Sequence, residues 1–240
     1  MAMTLLNNKV PQEFGFYAVL TNPLLGFEQL TEILVEENVA FIQLRIKNER
    51  RGTKDEGRKK NYGQFKEDTF TIAKNLRSIT KGSNSKLIIN DDPYLAMEVG
   101  ADGVHVGQDD MPYDVVRKLV GDKFIIGLST HNVAQVKQAN LLNPDYIGMG
   151  PVYKTPTKVI ADPAIGISGL SEMMMGCNSL PFVAIGGIDL SNVKDVLATG
   201  AKNICAVRLI DQCKSKEEVR EKLHLLFDDC HSRLRGNDFI

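Results

Sequence analysis

Short runs rich in β-branched and aromatic residues alternate with longer amphipathic runs along the chain, eight of each. The short runs span 14–21, 41–47, 86–91, 103–108, 124–130, 146–152, 181–188 and 203–210, and have the length and composition of strands. The longer runs span 27–39, 66–80, 93–99, 113–120, 133–142, 168–175, 191–198 and 216–234, and carry apolar residues at helical spacing. Eight strand–helix units predict an α/β chain closed as a single (β/α)8 TIM barrel, one domain over 1–240. Gly100, Gly121 and Gly200 stand just past helical runs, where a left-handed cap is wanted. Asn132 and Asp189 stand just before others as N-caps. The rival architecture, a doubly wound open sheet, would place a glycine-rich phosphate loop after its first strand, and TNPLLG at 21–26 is not one.

One segment breaks the rhythm. Residues 48–63 are dense in Lys, Arg and Glu and hold three glycines. They follow the second strand, so a barrel places them on its C-terminal, active-site face. A solvated insertion and a basic flap over a phosphorylated ligand both fit.

The formal net charge of -1 argues against broad attraction to nucleic acid or to an acidic membrane. Any anionic ligand must therefore bind a local cluster. No apolar run approaches the ~20 residues of a membrane span. The first ten residues lack the pattern of a secretory signal, and the four cysteines form no CxxC pair. These features predict a cytoplasmic protein with free thiols, and leave a homo-oligomer open.

Barrel enzymes carry their chemistry at the C-terminal ends of strands. In the second strand, alternation puts Gln43, Arg45 and Lys47 on one face and Leu44 and Ile46 on the other. Two inward cations call for an anion, most naturally phosphate or pyrophosphate. The third strand ends Asn90-Asp91-Asp92 and the fourth Gln108-Asp109-Asp110. Neighbouring parallel strands bring these ends together, so one carboxylate from each can hold a hard cation such as Mg2+. Asp91 and Asp110 are the expected pair. Asp92 and Asp109 are read instead as caps of the helices that follow. Ser129 at the end of the fifth strand offers a hydroxyl, and His131 beyond it a general base without an evident partner. His105, inside the fourth strand, reads as a hydrogen-bonded interior residue. After the sixth strand, Thr155-Pro156-Thr157-Lys158 supplies hydroxyls and a cation suited to an oxyanion. Gly187, after the seventh, lets backbone amides approach a ligand.

Six motifs, in order and each at a strand end, resemble those of the thiamine phosphate synthase family. They are QLRIK at 43–47, IND at 89–91, GADGVHVGQDD at 100–110, GLSTH at 127–131, GPVYKTPTK at 150–158 and AIGGI at 184–188. The resemblance implies that Gln43, Leu44, Arg45, Ile46, Lys47, Asn90, Ser129 and Lys158 hold a pyrimidine diphosphate. It implies that Asp91 and Asp110 bind Mg2+. Thr155, Pro156, Thr157, Gly187, Val207 and Arg208 then form the pocket of a thiazole phosphate. The implied reaction joins 4-amino-2-methyl-5-pyrimidinylmethyl diphosphate to 4-methyl-5-(2-phosphoethyl)thiazole, or its carboxylated form. Thiamine phosphate and pyrophosphate result, with Arg45, Lys47 and Lys158 as the catalytic cations. Two features depart from the family pattern: Arg208 stands where Ser is common, and the charged insertion is long. A thiazole tautomerase-like member needing neither Mg2+ nor pyrophosphate, and a non-catalytic sensor, are the alternative readings.

Overall fold

The computed structural model describes residues 9–46, 67–155 and 163–231, with side chains through 226. Eight parallel strands follow one another around a barrel in chain order. They are β1 (Tyr17–Leu20), β2 (Phe41–Leu44), β3 (Lys86–Asn90), β4 (Gly103–Val106), β5 (Ile125–Thr130), β6 (Tyr146–Met149), β7 (Phe182–Ile185) and β8 (Ile204–Cys205). Seven helices link them in turn: α1 (Phe27–Glu36), α2 (Glu67–Thr80), α3 (Pro93–Glu98), α4 (Tyr113–Val120), α5 (Val133–Leu142), α6 (Gly166–Gly176) and α7 (Val193–Ala198). The short α8 (Val207–Asp211) and the long α9 (Lys216–His231) follow β8. The (β/α)8 architecture is the one the alternating pattern predicts. The charged segment 48–63 lies outside the described residues.

Strand alternation sorts the core into two. Outward residues such as Leu44, Ile89, Val104 and Ile126 pack with Leu30, Leu76, Leu95 and Val116 of the helices. Inward residues Tyr17, Phe41, Ile88, Ile125, Tyr146 and Val183 fill the barrel itself. Tyr17 stacks on Phe41 with ring centroids 5.7 Å apart, and Phe14 meets Phe41 edge-on at 4.8 Å. This aromatic floor blocks the lower half of the barrel, so any ligand must enter from the opposite end.

Local signals account for most element ends. Asp92 Oδ1 accepts from the amides of Tyr94 and Leu95 and starts α3, as expected. Asn132 Oδ1 caps α5 through Gln135 N. Gly100, Gly121 and Gly200 all have positive φ. Three expectations are corrected. Asp189 does not cap α7, whose N-cap is Asn192 with no side-chain bond. Asp109 does not cap α4, whose N-cap is Pro112 with no side-chain bond. The run 203–210 is not one strand, because β8 ends at Cys205 and Val207 begins a helix. Its neighbour β7 stops at Ile185, and Gly186 (φ 102) turns that chain away. The backbone beyond Cys205 therefore satisfies itself internally, as in Leu209 N to Ala206 O at 3.2 Å.

The ring closes at β1 and β8. Ile204 N donates to Gly15 O at 2.9 Å, and Phe16 bridges to Ile204. Buried Asn203 secures the seam: Oδ1 accepts from the amides of Phe14 and Gly15, and Nδ2 donates to the carbonyls of Gln12 and Phe182. Asp211 latches α8 to the end of β1, its Oδ2 accepting from Thr21 N, Thr21 Oγ1 and Asn22 N. Its Oδ1 is buried without a partner, and burial raises the carboxyl pKa.

Two outcomes follow from this seam. Asn203→Ala strips four part-buried backbone groups of their partner and should lower unfolding free energy by ~1–3 kcal/mol in urea melts. A raised folded-state pKa contributes stability that is present at low pH and is lost as pH rises through that value. Asp211→Asn is neutral throughout, so the wild type should lose ground to it as pH rises above about 4, the ordinary aspartate value. Paired melts across that range check this, and a pH-independent difference would contradict it.

Candidate active site

Above the aromatic floor the inward positions turn polar. Gln43 on β2, Asn90 on β3, His105 on β4 and Ser129 on β5 line one pocket at the C-terminal mouth. The ladder aligns them: Asn90 pairs in register with His105, and His105 with Gly127, two residues before Ser129. Gln43 is only 4% exposed, and its Nε2 donates to the Tyr17 hydroxyl at 3.0 Å. Tyr17 and Tyr146 hydroxyls lie 2.6 Å apart, and Tyr146 lies 2.9 Å from His105 Nδ1. His105 Nε2 lies 2.9 Å from Ser129 Oγ. Gly127 makes room for this chain: a Cβ there would sit 2.2 Å from Tyr146 Cζ and 2.4 Å from His105 Nδ1. His105 is thus the interior hydrogen-bonded residue expected of it.

Arg45 follows the last residue of β2, anchored by its amide to Leu20 O at 2.9 Å, and its side chain lines the same pocket. Burial pulls the guanidinium pKa down, while the charges of Asp91 and Asp110 push it back up. Both acids therefore lie within electrostatic reach of one cation, as the strand-end argument requires. Asp91 sits at φ 62, uncommon for a residue with a side chain, and its amide bonds to His105 O at 2.8 Å. Backbone held in that region is often found at functional sites. Asp110 Oδ2 accepts from Gly107 N at 2.8 Å, which fixes its turn. Hard oxygen donors from two adjacent strand ends suit Mg2+, which takes few protein ligands and completes its shell with water and phosphate. Among the described residues no cluster of three or more His, Cys, Asp or Glu side chains is found, so a cation at this mouth would rest on the two aspartates.

The far side of the mouth comes from β6, β7 and α8. Thr155, Gly187, Val207 and Arg208 line the same pocket. Gly186 and Gly187 have φ 102 and 67. A Cβ on the first would sit 2.5 Å from Pro151 Cα, and one on the second 2.7 Å from Lys154 O. The turn is accordingly built for glycine, and its backbone faces the pocket. Val207 and Arg208 reach the pocket from the first turn of α8, not from a strand. Asp189 is held below the usual carboxylate range, first by the Ser191 hydroxyl, with Arg208 contributing. His131 also lines the pocket, with Nδ1 donating to Gly150 O.

Not every expected residue gathers here. The side chains of Leu44 and Ile46 pack toward the helices, and neither residue lines the pocket. Lys47, Pro156, Thr157 and Lys158 lie outside the described residues. Sequence reasoning missed Tyr17, Tyr146 and Cys205, although each falls on the inward parity of its strand. That parity was the available signal. Cys177, Cys205 and Cys213 are free thiols.

Residues 17–210 match the family model described as thiamine monophosphate synthase. A thiamine-phosphate synthase of Caldicellulosiruptor bescii is 39% identical over 199 residues, covering 83% of this chain and 82% of the relative. One from Pelotomaculum thermopropionicum is 45% identical over 152 residues, 63% of this chain and 67% of that one. Among solved structures, the thiamine phosphate pyrophosphorylase from Pyrococcus furiosus superposes with a TM-score of 0.74 at 26% identity, covering 92% of this chain and 97% of its own. Fold, order of strand-end motifs and sequence similarity agree that the chain belongs to the thiamine monophosphate synthase family.

Proposed function

We propose that the barrel mouth joins a pyrimidinylmethyl diphosphate to a thiazole phosphate in an Mg2+-dependent substitution. The activity is that of a thiamine-phosphate synthase, a transferase of thiamine biosynthesis acting on small molecules. The observation that carries the reading is one pocket at the open end of the barrel, lined by Arg45, Asn90 and Ser129 on one side and by Thr155, Gly187 and Arg208 on the other, with Asp91 and Asp110 within electrostatic reach of Arg45. That arrangement suits a leaving polyphosphate and a cation together. It gives no advantage to a tautomerase that handles neither.

The chemistry needs charge stabilisation and positioning more than a general base. Bound between Asp91 and Asp110, Mg2+ would neutralise charge on the diphosphate oxygens. Arg45 contributes a fork of donors to the same oxygens, joined by Lys47 and Lys158. As the bond from the methylene carbon to the diphosphate oxygen lengthens, negative charge grows on the departing pyrophosphate. The aminopyrimidine ring delocalises the positive charge left on the methylene. The thiazole nitrogen, which carries a lone pair, forms the new carbon–nitrogen bond, and no proton need leave it. Gly187, Thr155 and Arg208 hold the thiazole phosphate, where loops after the seventh and eighth strands recurrently bind phosphate in this fold. Arg208 makes this second site more strongly cationic than a Ser would.

Among the described residues no helix is long and apolar enough to cross a membrane. A cytoplasmic location fits the free thiols.

Asp91→Ala and Lys158→Ala should each lower turnover by roughly two decades or more, the scale of losing an oxyanion donor. Product should form with Mg2+ and not after chelation. Near-normal rates in both variants, or synthesis indifferent to chelator, would refute the assignment.

A further inference from the structure

Gln43, Tyr17, Tyr146, His105 and Ser129 make an unbroken line of hydrogen bonds through the barrel, with spacings of 3.0, 2.6, 2.9 and 2.9 Å. Gln43, Tyr17, His105 and Ser129 line the pocket, while the two tyrosines are only 1–2% exposed. Burial pushes both phenols up in pKa, so each keeps its proton across the working range. A line of this kind has a direction, because each hydroxyl has one proton to give.

Gln43 Nε2 donates to Tyr17. Tyr17, already accepting, satisfies its own proton by giving it to Tyr146, and Tyr146 gives its proton to His105 Nδ1. His105 must then carry its proton on Nε2 and donate it to Ser129 Oγ. The Ser129 proton is left for the pocket, and so is the carbonyl oxygen of Gln43. If instead Tyr146 donated to Tyr17, the Tyr17 proton would face an amide donor at a hydroxyl almost wholly cut off from solvent, leaving a hydrogen bond unmade. Only by turning over the Gln43 amide could the whole line reverse. The pocket would then meet an amide donor at one end and a hydroxyl already committed to His105 at the other. The two ends are therefore tied: when one accepts from a ligand, the other donates to it.

We propose that this line runs from Gln43 to Ser129, fixes His105 as the Nε2–H tautomer, and makes the barrel a reader of the amino–ring-nitrogen edge of its pyrimidine. Gln43 Oε1 accepts from the exocyclic amine and the Ser129 hydroxyl donates to the neighbouring ring nitrogen. This rests on the proposed pyrimidine substrate. The 4-oxo analogue offers a carbonyl and a ring N–H, the opposite pattern, and is accepted only if all the bonds reverse together. Tyr146 is a positioning residue that acts only through the line, while Tyr17 and His105 also line the pocket. Gly127 is the opening that lets Tyr146 and His105 meet.

Nitrogen NMR of histidine-labelled protein tests the direction without substrate, the His105 signals being identified by their loss in His105→Gln. The expected spectrum shows a protonated Nε2 and a bare, pyridine-type Nδ1. The Nδ1–H tautomer, or an imidazolium at neutral pH, overturns the proposal. The second measurement compares kcat/KM for the amino pyrimidine diphosphate and its 4-oxo analogue in the wild type and in Tyr146→Phe. Cutting the line should lower the preference for the amino compound by about tenfold, the scale of one net hydrogen bond. An equal loss on both compounds marks Tyr146 as merely structural and overturns the reader. A wild type inactive on the amino compound contradicts the proposed reaction, while the imidazole spectrum still decides the direction of the line.

Discussion

A guanidinium drawn into a barrel mouth must be balanced, and that requirement organises this molecule's active end. Arg45 lies where burial disfavours its charge, and Asp91 and Asp110, beyond the two succeeding strands, offset part of the penalty. Arg45 and Asp91 directly follow β2 and β3, and Asp110 lies in the turn four residues past β4, all three strands pairing directly in the sheet. Their convergence follows from parallel strand order together with the turn that Asp110 closes on Gly107 N. The same balance leaves room for a ligand of mixed character: anionic oxygens for Arg45 and a hard cation for the acids.

The barrel supplies this arrangement by dividing its interior along the axis. Aromatic rings from β1, β2 and β6 close the lower half, with Tyr17, Phe41 and Tyr146 in mutual contact. Glycines at inward positions then set where large side chains fit. Gly103 has no space for a Cβ beside Ile125 and Ile88, and Gly127 has none beside Tyr146 and His105. The polar layer rests on this floor, so its hydrogen bonds are made in a medium where each unmade bond is expensive. The opposite wall is built differently, from a glycine turn after β7 and the short α8 latched to β1 by Asp211. Two halves of the mouth, one on strands and one on a turn and helix, match a reaction with two dissimilar substrates.

Much of this was legible in the chain itself. Eight alternating units specify the barrel, and α4 and α5 begin and end where the apolar spacing does. Arg45, Asn90 and Ser129, which line the mouth, could be found by reading strand ends, because only there does alternation meet solvent. The eighth strand was misread since Val207, Leu209 and Ile210 suit either strand or helix, and only the early end of β7 decides between them. The tyrosines escaped notice because a phenol in a strand looks like core. What gives Tyr17 and Tyr146 a polar task is their contact across the barrel, 129 residues apart in sequence. The capping reading of Asp109 failed for a simpler reason: Pro112 starts α4 three residues later.

The central claim is that one cation and one polyphosphate share the mouth between Asp91, Asp110 and Arg45. A crystal structure with pyrophosphate and Mn2+ in place of Mg2+, with the metal located by its anomalous signal, tests it most directly. The account predicts a single ion touching carboxylate oxygens of both aspartates and bridging to the anion, with Arg45 donating to the anion's oxygens. An ion held elsewhere, or an anion bound only at the Gly187 side, would contradict it.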